Sequence, residues 1–210
     1  DDRGTYLVVR SMSEIAGNAS VLIAAEYLSN ANGGKGLMMG GIAGVQPTEI
    51  VVLGAGTVGE FATRSALGLG ASVKVFDSSI SKLRRFQIDL NTRIFTSVVQ
   101  PKVLEKTLQR ADVVIGAVRT SNGRTPCVVT EEMVSKMKPG SVIVDISIDQ
   151  GGCFETSEVT SHRKPVFEKY GVIHYCVPNI ASKVARTASI AVSNIMTPFL
   201  LKAADTSSIE

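Results

Sequence analysis

A chain of 210 residues, 44% hydrophobic and 20% charged, is long enough for one domain with a sizeable core. That composition excludes a disordered, collagen-like or disulfide-stapled protein. Its formal charge of +3 comes from 22 Lys and Arg against 19 Asp and Glu. These are scattered, with no basic run that would read as a nucleic-acid or membrane patch.

The first residues, Asp1-Asp2-Arg3, lack a methionine and read as the start of a fragment, with no secretory signal. Residues 13–28, rich in Ala, Leu and Ile at a helical period, predict a helix with Ser13 as its N-cap. Gly33, Gly34, Gly36, Gly40 and Gly41 predict a loop. It closes a leading segment, residues 1–43, ahead of a main domain over residues 44–182. There the pattern predicts a strand at 50–53, a helix at 57–68, a strand at 72–76 ending at Asp77 and a helix at 79–90. A helix at 102–110, a strand at 113–117, a helix at 131–137 and strands at 141–148 and 172–177 follow. A returning segment, residues 183–210, carries an apolar helix over 184–203 and a polar, frayed tail at 205–210. No uninterrupted apolar run reaches the ~18 residues of a membrane span, so no membrane association is expected.

Strands that are apolar throughout are buried on both faces, the mark of a parallel sheet with helices on each side. Alternation of strand and helix gives the same class, α/β, as a doubly wound parallel sheet. The two end helices flank it.

Gly54-Ala55-Gly56-Thr57-Val58-Gly59 follows a predicted strand and opens a predicted helix, the context that turns a weak pattern into a dinucleotide-binding one. Gly54 permits a tight turn, Gly56 lets the backbone approach a pyrophosphate, and Gly59 lets the helix pack close to the strand. The amides near Thr57 and Val58 then face the phosphates at the positive end of the helix dipole. A strand–helix turn without a ligand is the bland alternative. Asp77 stands close to the ~20-residue spacing expected for an acid that accepts from the adenosine ribose. A carboxylate there repels a 2′-phosphate and favours NAD over NADP, although Lys82 and Arg84 lie nearby. It also suits a helix N-cap, and both roles can hold together.

The second informative run is Val144-Asp145-Ile146-Ser147-Ile148-Asp149-Gln150-Gly151-Gly152. Ligands of open parallel sheets bind beyond the carboxyl ends of strands. Asp149 there can exchange a proton or hold a cationic amine, or it is a turn aspartate satisfying its own loop. Asp145 reads as structural. Asn179 follows the next strand and suits a cofactor carboxamide, Asp149 or an Asx turn. Arg186 and Thr187 open the last helix, as substrate contacts or as caps. Cys127, Cys153 and Cys176 form no metal spacing and read as reduced thiols of a cytoplasmic protein; Cys153 has nothing local to activate it. Neither His162 nor His174 is given a catalytic role, and no metal site is expected.

Several runs together resemble alanine dehydrogenase: Met12-Ser13-Glu14-Ile15-Ala16-Gly17, the Gly54–Gly59 loop, Met137-Lys138-Pro139-Gly140-Ser141, Ile148-Asp149-Gln150-Gly151-Gly152-Cys153-Phe154-Glu155-Thr156 and His174-Tyr175-Cys176-Val177. The similarity spans nearly the whole chain and extends to the nucleotide-binding part of proton-translocating transhydrogenase and to the lysine-forming saccharopine enzymes. The transhydrogenase loop has no acid at the position of Asp149, so that residue favours the dehydrogenase. The resemblance implies a Rossmann-type domain that serves NAD-dependent, reversible deamination of L-alanine to pyruvate and ammonia through an imine. Hydride passes between the alanine α-carbon and nicotinamide C4. It implies a proton-handling role for Asp149. The other catalytic groups, a His, a Lys and an Arg, are implied to lie in a substrate domain preceding Asp1, and without it the fragment should bind NAD but not turn over. Cofactor contacts carry over onto Ser13, Thr57, Val58, Asp77, Lys82, Val118, Arg119, Ile146, Ser147, Ile148, Asp149, Val177, Asn179 and Ile180. The end helices are implied to bridge to the substrate domain, leaving apolar faces exposed or paired with another chain in a homo-oligomer, often a hexamer. The chain departs from the family pattern at Pro178, Ile180, Arg119, Glu158 and around Val98-Val99, all at the cofactor rim. The alternatives are a hydride-delivering transhydrogenase component and a stand-alone nucleotide-binding module.

Overall fold

The apolar runs assemble into one seven-stranded sheet with helices on both faces, in a computed structural model that describes residues 6–120 and 123–207. The strands are β1 (Glu49–Leu53), β2 (Ser72–Asp77), β3 (Phe95–Val98), β4 (Val113–Gly116), β5 (Val142–Asp145), β6 (Val166–Lys169) and β7 (Val172–Tyr175). The helices are α1 (Leu7–Leu28), α2 (Thr57–Gly68), α3 (Ile80–Leu90), α4 (Pro101–Leu108), α5 (Glu131–Ser135) and α6 (Ala185–Ser207). Strand order is β3-β2-β1-β4-β5-β7-β6, parallel except for the β6–β7 pair. The direction of winding reverses between β1 and β4, the switch point at which a doubly wound sheet opens a crevice.

Period-two alternation explains both cores. Ile50 and Val52 point to the face covered by α1, α2 and α3, with Val75, Ile115 and Val144. Val51 and Leu53 point to the other face, with Leu104, Leu108, Val134 and Met137. Each fully buried aliphatic side chain contributes roughly 1.5–3 kcal/mol relative to exposure.

Several boundaries correct the sequence reading. Ser13 is not an N-cap: α1 begins at Leu7 after Tyr6, and the Ser13 hydroxyl donates to the Val9 carbonyl, the back-bond of a serine inside a helix. The strand expected over 141–148 stops at Asp145, whose carboxylate accepts from the Ser147 N–H and turns Ile146–Gln150 into a 3₁₀ turn. β3 and β6 were not foreseen; both are edge strands with mixed, half-buried sequences. The β6–β7 turn uses Tyr170 (φ 57°) and Gly171 (φ 72°), as a two-residue hairpin requires. The helix expected to fray at Asp205 runs to Ser207; residues 1–3 and 208–210 lie outside the described residues. Residues 7–28 and 180–205 are also long and apolar enough, by length and composition, to cross a membrane. Counting only uninterrupted runs missed this, because Ala, Gly, Ser and Thr dilute such runs without making a helix polar.

α1 buries Ala16, Val21, Ile23, Ala24 and Leu28 against the sheet. It crosses α2 at Gly17, where a Cβ would stand 2.5 Å from the Val58 carbonyl oxygen and 2.8 Å from the Phe61 Cβ. α6, by contrast, leaves Ile190, Phe199, Leu200 and Leu201 more than half exposed.

His174 is fully buried in β7, stacked on Phe167. The Val172 carbonyl can only accept, so Nδ1 carries the proton and Nε2 accepts from the Thr156 hydroxyl. Burial, chiefly, lowers its pKa from the usual 6.5 and keeps it neutral. The unfolded chain therefore binds this proton more readily. The stability held by His174 is complete above its unfolded pKa and is lost as pH falls from there through its lower folded value. Thermal melts should show stability declining as pH falls below 6.5, with a shallower slope in His174→Gln. Gly17→Val should lower stability by roughly 1–3 kcal/mol in denaturant titration, because backbone, not a flexible side chain, opposes the added atoms.

Candidate functional site

The crevice begins at the end of β1. Gly54 (φ 108°) donates its N–H to the Phe76 carbonyl at 2.7 Å, and a Cβ there would lie 2.4 Å from the Ala117 carbonyl oxygen. At Gly59 a Cβ would be driven to 1.9 Å from the Gly54 carbonyl oxygen. At Gly56, the N-cap of α2, a Cβ would meet nothing within 4 Å. Gly54 and Gly59 are thus required by the fold, and Gly56 leaves open a space that the fold itself does not use. The first intrahelical bond of α2 runs from the Glu60 N–H to the Gly56 carbonyl. The N–H groups of Thr57, Val58 and Gly59 precede it, and a glycine cap gives them no side-chain acceptor.

Asp77 ends β2, buried, with Oδ2 accepting from the Ala55 N–H and Oδ1 from the Ser79 N–H, both at 2.8 Å. It fastens the glycine turn, while Ser79 caps α3 by accepting from the Lys82 N–H. Each Asp77 oxygen keeps a lone pair for a further donor. The Lys82 side chain is exposed and lines neither concavity described below.

A crevice of about 370 Å³ opens over the carboxyl ends of β1, β4 and β5. It brings together Ser13, Val58, Val118, Arg119, Ile146, Ser147, Asp149, Asn179 and Ile180 of the expected site residues. Ile148 and Val177 lie buried beneath, not on its surface. Gly56 and Thr57 line a second concavity of about 440 Å³ with Arg10, Arg64 and Arg85. Arg186 and Thr187 are exposed on α6 and line neither.

Asp149 sits on the 3₁₀ turn after β5, exposed to the crevice. Its Oδ1 accepts from the Asn179 N–H at 3.0 Å, so its partner comes from the loop after β7 and not from its own turn. Asn179 holds the left-handed conformation (φ 52°) that presents this N–H. Ser147 Oγ is buried against the Cys153 thiol and makes no hydrogen bond of ordinary geometry. Burial, then the Asp145 carboxylate, pushes the Cys153 thiol far up and Cys176 up to about 12; neither is a nucleophile. Among the described residues no cluster of His, Cys, Asp or Glu could hold a metal ion.

One wall escaped sequence reasoning: Val8, Val9, Met12 and Ala16 of α1. Their signal was present, since 8, 12 and 16 share one helix face with 9 and 13. Starting the helix at Ser13 hid it.

The family described as alanine dehydrogenase/PNT, C-terminal domain, matches residues 20–210. This chain belongs to that family. It is 46% identical over 202 residues to the alanine dehydrogenase of Mycolicibacterium smegmatis, covering 96% of this chain and 54% of that protein. A solved L-alanine dehydrogenase superposes with a TM-score of 0.91 at 39% identity, over 96% of this chain and 56% of that one. A transhydrogenase from Sinorhizobium meliloti gives 0.77 at 29%, over 92% and 55%. The chain therefore spans about half the length of the relatives it matches.

The glycines separate fold from ligand. Gly59→Ala should lower the melting temperature sharply, because a backbone oxygen occupies the Cβ position. Gly56→Val should melt near the parent protein yet lose at least about tenfold in dinucleotide affinity by calorimetry, a change of ~1.4 kcal/mol.

Proposed function

We propose that this chain is the NAD-binding part of an alanine dehydrogenase, which interconverts L-alanine with pyruvate and ammonia. The observation that carries the reading is Asp149, whose carboxylate faces a crevice at the switch point of the sheet while the Asn179 N–H holds it in place.

The cradle fits a dinucleotide. The amides at the start of α2 hold the pyrophosphate, where the helix dipole adds to their attraction. Gly56 leaves the room that a phosphate needs. The free lone pairs of Asp77 accept the adenosine ribose hydroxyls, and its charge disfavours a 2′-phosphate. NAD, when bound, would supply the hydride acceptor for oxidation at the alanine α-carbon. Val8, Val9 and Met12 form an apolar wall that excludes water from that end. In this reading Asp149 accepts a proton as the ammonium of alanine becomes an imine and water adds to it, and returns the proton in reverse. A location in the cytoplasm and assembly into a homo-oligomer belong to the same proposal. The likeness to transhydrogenase supports a second reading, an NAD(H)-binding component that passes hydride to another domain. Asp149 favours the first, because hydride exchange between two nicotinamides moves no proton.

Calorimetric titration of the chain should give NAD binding at least about tenfold tighter than NADP. The isolated chain should form no NADH from alanine; formation of NADH would remove the need for a second domain. In the full-length enzyme Asp149→Asn should lower turnover about 10²- to 10⁴-fold with little change in NAD affinity. Equal losses in both would make Asp149 a binding residue.

A further inference from the structure

We propose that Asp145 is the positioning residue for Asp149, holding both ends of the turn on which Asp149 is carried. This rests on the assignment of Asp149 to the reaction. Asp145 closes β5 and is 1% exposed. Its Oδ1 accepts from the Ser147 N–H at 2.9 Å and from the Cys153 thiol at 3.7 Å. Its Oδ2 accepts from the Cys153 N–H at 3.0 Å and from the Ser157 hydroxyl at 2.7 Å. Residue 147 enters the turn and residue 153 leaves it, so one carboxylate closes the loop that projects Asp149 between them.

The walls leave no slack. A Cβ at Gly116 would stand 2.8 Å from Oδ1, and one at Gly152 would stand 2.7 Å from Oδ2. Among the described residues no Lys, Arg or His bonds to Asp145, and burial raises its pKa. A buried carboxylate without a cation is a costly choice, and its chemistry explains it. Four donors converge on the site, two of them backbone N–H groups that cannot turn away. Only a group that accepts on both arms satisfies them. An asparagine would aim its NH₂ at one of those N–H groups, and an aliphatic residue would leave both unpartnered in the interior.

Displacing either end of the turn moves Asp149 off the Asn179 N–H. That amide reports its position with no need for activity. Arg119 is the other charged side chain lining the crevice, and it lies on the loop after β4, outside the clamp.

The test is amide hydrogen exchange on the 210-residue chain, parent against Asp145→Asn and Ser157→Ala, with NAD titrations of each. In Asp145→Asn the Asn179 amide should exchange at least about tenfold faster, the size expected for losing a hydrogen bond to a charged acceptor. Amides of Val114 and Ile143 in the sheet should stay unchanged. Ser157→Ala leaves both backbone donors on the carboxylate and should leave Asn179 as in the parent. In the full-length enzyme Asp145→Asn should then lower turnover more than it lowers NAD affinity. An unchanged Asn179 amide, or uniform acceleration across the sheet, overturns the proposal. Should Asp145→Asn not fold, the parent protein decides alone: Ser147 and Cys153 must exchange as slowly as the β5 amides, and exchange at free-loop rates overturns the clamp. A parent chain that binds no NAD would overturn the proposed function, while the exchange data would still judge the placement of Asp149.

Discussion

The whole site depends on how closely α2 can start behind β1. The Gly59 Cα faces the Gly54 carbonyl oxygen at a distance that admits no Cβ. That contact tips the first turn of α2 over the strand end and leaves its leading amides at the sheet's switch point. With any side chain at Gly59 the helix would start elsewhere, and the positive end of its dipole would no longer face the crevice. α1 repeats the device one layer out. Its Gly17 presses on the same first turn at Val58, so the apolar wall of the crevice and the leading amides of α2 are fixed relative to each other.

Buried carboxylates do the remaining fastening, each at a strand end. Asp77 holds the glycine turn through the Ala55 N–H. Asp145 holds the turn that carries Asp149. At the opposite end of the sheet Asp112 accepts from the Glu49 N–H and from Lys35 and Lys138, tying the glycine-rich loop to the start of β1. Burial alone would lift the Asp112 carboxyl, but these three donors more than offset it and hold it below the usual range. Asp145 lacks any such cation and moves the other way. The closed end of the sheet thus carries a charged staple, and the open end, where the loops must be placed, carries acceptor-only clamps.

The two long flanking helices share a composition and differ in burial. Both are rich in Ala, Ser and Ile, yet α1 packs its face on the sheet while α6 carries Phe199, Leu200 and Leu201 into solvent.

Local chemistry determined much of this protein. Uniformly apolar strands dictated a two-faced parallel sheet, the Gly54–Gly59 spacing dictated a turn with open amides, and Asp77 and Asp149 were legible as acids at strand ends. The edge strands β3 and β6 were not, because half-buried edges carry little hydrophobic pattern and acquire their pairing from neighbours. Nor could Ser13 be placed correctly, since a serine inside a helix and a serine capping one look alike until the preceding residues are seen to continue the turn. Above all, spacing left Asp149 between a catalytic acid and a self-satisfied turn residue. Tertiary structure supplied what spacing could not, a partner for that carboxylate from outside its own turn, the Asn179 N–H of the loop after β7. A hydrogen bond between loops 30 residues apart depends on where the sheet sets two strand ends, and no local pattern encodes that.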